Sequence, residues 1–101
     1  MKESFEATLQ VNNAPVDLNP FVEQFLARTA AGAVSSLKGT ADMRSLELYL
    51  EQGNVRITVN GEEISVTPFP NDIIANTLVG LVSSLKVVGQ IESLNISVKT
   101  R

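Results

Sequence analysis

The sequence predicts an α+β fold. A tandem ββαβ repeat forms one pseudo-two-fold domain, a mostly antiparallel sheet of about six strands with two helices packed on one face. Three observations predict it. A shift of 48 positions lays residues 7–53 on residues 55–101 without a gap, and 14 of the 47 pairs are identical. Within each copy the apolar spacing changes from two to helical in the same order. The turn and helix-start residues recur at matching places. Two copies of this length are too few for a solenoid, so they are read as one domain over 1–101, with repeats at 5–53 and 54–101.

The first strand alternates Phe5, Ala7, Leu9 and Val11 with polar neighbours, and its counterpart alternates Val55, Ile57 and Val59. Asn12-Asn13 and Asn60-Gly61 are left-handed-tolerant pairs suited to tight hairpins. Short second strands follow, carried by Val16 and Leu18 and by Ile64 and Val66. Helices then start at Pro20 and Pro68, where the missing N–H costs little, behind Asn19 and Thr67 as N-caps. Glu23 and Asp72 complement the helix N-termini, and Lys38 and Lys86 the C-termini. Gly39 and Gly89 are candidate terminators. Final strands are expected at 45–50 and 93–98, and Gln52-Gly53-Asn54 is the turn between the copies.

The second helix has a wide apolar arc: Ile73, Ile74, Leu78, Leu81, Val82 and Leu85. This is more than one sheet contact needs, so the surplus is expected to meet the first helix or another subunit. The solvent stripe is expected at Asp72, Ala75, Val79, Ser83 and Lys86. Its counterpart on the first helix is Gln24, Ala27, Ala31, Ser35 and Lys38.

Composition narrows the chemistry. With neither His nor Cys, the chain can build no disulfide, thiolate metal site, cysteine nucleophile or His-dependent triad. Any enzyme would rely on carboxylates, lysine or serine, and every lysine and acid can be assigned to a helix end or a solvated face. No catalytic residue, metal ligand or cofactor site is therefore expected. The net charge is −3 with scattered basic residues, and the aromatics are four Phe and one Tyr. Both features argue against nucleic acid. No run approaches the length of a membrane span. Residues 1–5 contain no apolar signal core, so a cytoplasmic location is expected.

Two groups of residues are candidate sites. Val-Ser-Ser-Leu-Lys recurs identically at 34–38 and 82–86. Ser35, Ser36, Lys38, Ser83, Ser84 and Lys86 are thus candidates for partner binding, against the simpler reading of helix-end chemistry. Gly32 and Gly80 are retained inside helices, where glycine costs about 1 kcal/mol against alanine. They point to close helix packing or a ligand on that face. Thr29 and Thr77 are assigned to the core-facing arc, bonded back to helix carbonyls.

The outward sheet face should carry Glu6, Thr8, Gln10, Glu47, Tyr49, Arg56, Thr58, Asn95, Ser97 and Lys99 as a solvated surface. The expected function is a non-catalytic protein-interaction or scaffold domain, binding a protein partner or self-associating as a homodimer. The alternative is small-molecule sensing, with a pocket between helices and sheet near Thr29, Gly32, Thr77 and Gly80.

Overall fold

The computed structural model describes residues 5–38, 43–66, 68–85 and 90–100. The elements run β1 (Phe5–Val11), β2 (Ala14–Val16), α1 (Pro20–Lys38), β3 (Ser45–Glu51), β4 (Asn54–Val59), β5 (Glu62–Ile64), α2 (Pro68–Ser83) and β6 (Ser93–Thr100). The fold is α+β, with one six-stranded sheet in the order β2-β1-β6-β3-β4-β5. Every neighbouring pair is antiparallel.

Period-two alternation gives each long strand one buried face. Leu9, Leu48, Ile57 and Ile96 lie on it, against Leu26, Ala27, Ala30 and Val34 of α1 and Ile74, Ala75, Leu78 and Val82 of α2. Full burial of each large aliphatic side chain contributes about 1.5–3 kcal/mol. The last strand in sequence, β6, sits in the middle, between β1 and β3. Its Leu94, Ile96 and Val98 are therefore almost wholly enclosed. The molecule measures 35 × 32 × 19 Å, a thin two-layer shape.

Three hairpins share one backbone solution. Asn12-Asn13, Gln52-Gly53 and Asn60-Gly61 all have positive φ at both turn positions, between 50° and 88°. This signature of a type I′ turn matches the twist of paired strands. Asn54 already belongs to β4, so the middle turn is one residue shorter than the spacing implied. The second strands also stop early, at Val16 and Ile64. Leu18 and Val66 lie beyond them, yet still pack on the core.

Asn19 caps α1, its Oδ1 accepting the Val22 N–H at 2.8 Å. In α2, Pro68 and Pro70 fall in the first turn, whose N–H groups have no helical partner in any case. Thr67, Gly39, Lys86 and Gly89 lie outside the described residues.

The short outer strands leave part of β1 and β4 without a neighbour, and helix side chains take that place. The N–H of Ala7 donates to Glu23 Oε2 at 2.9 Å. Gln24 bonds both ways with Phe5, accepting its N–H at 3.2 Å and donating to its carbonyl at 2.7 Å. On the opposite flank Asn71 accepts the Val55 N–H at 2.8 Å and donates to the Gly53 carbonyl at 2.8 Å. These carboxylate and amide groups occupy the positions a further strand would use, which blocks edge-to-edge pairing there.

Candidate functional site

The buried stripes of the two helices differ from those expected. Ala27 and Ala75 are buried, not solvent-facing, and Val79 is half-buried. Thr77 is exposed rather than in the core arc, and Thr29 is half-buried. The physical reason is that alanines let the helix axis approach the sheet closely, and a broad apolar arc does not fix which edge turns inward. The exposed ridge of α1 is therefore Phe21, Phe25, Arg28, Gly32 and Ser36, and that of α2 includes Ile73, Asn76, Thr77, Gly80 and Ser84.

Among the described residues, these two ridges carry the large apolar side chains left in water: Phe21 at 74% exposure and Phe25 at 51% on α1, and Ile73 at 49% on α2. Phe21 and Phe25 lie one turn apart with ring centroids 5.8 Å apart and tilted by 54°, an arrangement favourable for aromatic pairs. The Arg28 guanidinium lies 5.4 Å from the Phe5 ring centroid, a cation–π contact toward the edge of the sheet.

Gly32 and Gly80 lie on these ridges, and a Cβ added at either would meet nothing within 4 Å. Close packing within this chain is therefore not what retains them. Their carbonyls accept instead the hydroxyls of Ser36 and Ser84, at 3.0 Å and 3.2 Å. Back-bonding to a carbonyl four residues earlier, expected at Thr29 and Thr77, is thus made by one serine of each Ser-Ser pair. Ser35 is half-buried and Ser83 exposed, while Lys86 and the side chain of Lys38 lie outside the described residues.

The open face of the sheet is polar, as its alternation requires. Ser97 donates to Glu47 Oε2 at 2.7 Å, Tyr49 donates to Glu51 Oε1 at 3.2 Å, and Arg56 pairs with Glu63 at 3.5 Å. Partial burial, with the neighbouring Glu51 carboxylate, raises the Tyr49 phenol above its ordinary pKa. A separate cleft of about 350 Å³ lies between α2 and the β3–β4 turn. Leu50, Ala75, Val79 and Ile91 supply its apolar surface, and Gln52, Asn76 and Glu92 its polar groups. Thr29, Gly32, Thr77 and Gly80 do not line it.

Among the described residues, no group of three or more acidic side chains is arranged to hold a metal ion, and no helix is long and apolar enough to cross a membrane. Comparison with known families, curated proteins and solved structures finds no match to this chain.

Proposed function

We propose that the protein is a non-catalytic protein-interaction domain that binds through the helical side of its sheet. The observation that carries this reading is the exposure of Phe21, Phe25 and Ile73 on a surface the fold leaves uncovered. Exposed large apolar side chains grouped on one face mark interaction surfaces more often than isolated ones do. A cytoplasmic location is consistent with this reading.

The chain is also proposed to be a duplicated ββαβ unit with pseudo-two-fold symmetry. The strand order supports this, because a shift of 48 residues maps β2-β1-β6-β3-β4-β5 onto its own reverse. A lone unit is close to the size at which folding needs a partner. Residues 54–101 alone should therefore dimerise or fail to fold, and a folded monomer would refute the idea.

The interaction reading is tested by native mass spectrometry on protein purified gently from its host, beside the double variant Phe25→Glu/Ile73→Glu. A bound protein mass that disappears in the variant supports it. Identical spectra, with the same companions in both, overturn it.

The cleft beside α2 favours a second reading, the binding of a small amphipathic molecule, since its apolar surface and few polar groups resemble a small ligand site. A retained metabolite mass lost in Val79→Trp would favour that reading.

A further inference from the structure

We infer that the cleft beside α2 binds a small aromatic amine, a planar ring joined by a short chain to a cation. It is an inference that deepens the small-molecule reading above and rests on it. Two flanks of the sheet, with matching residues 48 positions apart, are bonded alike. Glu23 accepts the Ala7 N–H on the first flank, and Asn71 accepts the Val55 N–H on the second. Gln24 holds the Phe5 carbonyl, and Asn71 holds the Gly53 carbonyl. Phe5 and Gly53 thus occupy matching backbone positions, one beside each helix.

The two positions differ in what they carry. On the first flank the Phe5 ring packs on the core, with the Arg28 guanidinium 5.4 Å from its centroid. On the second flank the residues 48 positions later are Gly53 and Asn76, which bring neither ring nor cation. Both line the cleft of about 350 Å³. A Cβ added at Gly53 would meet nothing within 4 Å.

The charge at the rim is reversed as well. Asn60 Oδ1 accepts the Arg44 N–H at 2.8 Å, and Asn12 Oδ1 accepts the Glu92 N–H at 2.7 Å, so Arg44 and Glu92 correspond. The Gln52 N–H also donates to the Glu92 carbonyl at 3.3 Å, so the fold itself sets this wall. Among the described residues lining the cleft, Glu92 is the one that carries a charge. A ring seated on Leu50, Ala75, Val79 and Ile91, with an ammonium group toward Glu92, brings what Phe5 and Arg28 supply on the other flank. The space suffices, since a cavity of about 150 Å³ accommodates benzene.

Titration of the full chain with tryptamine, followed by methyl NMR, tests the proposal. The Leu50, Val79 and Ile91 resonances should shift saturably at millimolar ligand, while those of Leu9 and Leu26 stay in place. Indole-3-acetate, the same ring with the opposite charge, should bind about fivefold more weakly, the ratio expected for one exposed charge pair. Glu92→Gln is a change at an exposed position, so it should erase that preference and leave the melting temperature unaltered. Equal affinity for the two indoles, or a preference that persists in Glu92→Gln, would overturn the cationic group. Hexylamine binding as tightly as tryptamine would overturn the aromatic ring and leave the amphipathic reading of the cleft standing. If none of these molecules moves the cleft methyls, that reading falls together with this one.

Discussion

Asn12 and Ser93 hold each other at two points. The backbone N–H of Asn12 donates to the Ser93 carbonyl at 2.9 Å, and its side-chain Oδ1 accepts the Ser93 N–H at 3.0 Å. The same Oδ1 accepts the Glu92 N–H at 2.7 Å, while Nδ2 donates to the Gln90 carbonyl at 2.8 Å. Asn60 treats Ser45 alike, with a backbone bond of 3.0 Å and Oδ1 accepting from Arg44 and Ser45 at 2.8 and 3.0 Å. Each of these two hairpin tips thus fixes the start of a strand outside its own hairpin.

Asn12→Ala should therefore destabilise the fold by about 2–3 kcal/mol. It loses side-chain hydrogen bonds worth about 1 kcal/mol each, and it places a Cβ-bearing residue without a local polar bond at φ 52°. Asn12→Gly removes the same bonds but tolerates the left-handed backbone, so it should lose less. Urea unfolding of both variants decides the order; equal losses would show that backbone conformation contributes nothing.

Asn71→Ala should expose one flank of β4. The loss is about 1–2 kcal/mol, because two bonds to the backbone of Gly53 and Val55 disappear. The sharper readout is amide exchange. The Val55 N–H should exchange faster in the variant while the Ala7 N–H, held by Glu23 on the far flank, keeps its rate. An unchanged Val55 rate would refute the sealing role.

Glycine substitutions should split by sign. Gly32→Ala and Gly80→Ala lie in open space on exposed helix surface, and each should stabilise the monomer by about 0.5–1 kcal/mol. The two effects should add, since the sites are on different helices. Gly61→Ala has φ +88° and should instead destabilise by about 1–2 kcal/mol. Thermal melts in dilute solution give both signs.

The single tyrosine makes the open sheet face readable by pH titration. Partial burial and Glu51 together favour the neutral phenol in the folded state. The folded protein thus holds this proton more tightly than the unfolded chain. The resulting stabilisation is fully present below the unfolded pKa and is lost as pH rises through the higher folded value. Glu51→Gln should move the tyrosinate absorbance transition to lower pH. A transition that stays in place would show that the carboxylate does not contribute.

Much of this fold was legible in the chain because strand alternation and hairpin residues report local backbone geometry. Leu9, Ile57 and Ile96 had to face one way, and Asn60-Gly61 had to turn. The central position of β6 was not legible, because it depends on pairing between residues far apart in sequence. The burial of Ala27 and Ala75 and the exposure of Thr77 escape the sequence pattern for a related reason. An apolar arc as wide as that from Ile73 to Leu85 fits the sheet at several rotations, and the small side chains decide among them by allowing close approach. Of the residues that define the wide apolar arc of α2, Ile73 is the one that emerges into solvent. The serine–glycine hydroxyl bonds do have a sequence signal, the repeated four-residue spacing of Gly32 with Ser36 and Gly80 with Ser84, because serine back-bonds to a helix carbonyl as threonine does.

Where β1 begins and β6 ends, the strands run side by side, with Phe5 opposite Thr100 and Glu6 opposite Lys99. At the other end of the sheet Asn54 stands opposite Glu51 across the Gln52-Gly53 turn. A circular permutant opened at Gln52-Gly53 and joined between β6 and β1 would run β4-β5-α2-β6-β1-β2-α1-β3 and keep the spatial order β2-β1-β6-β3-β4-β5.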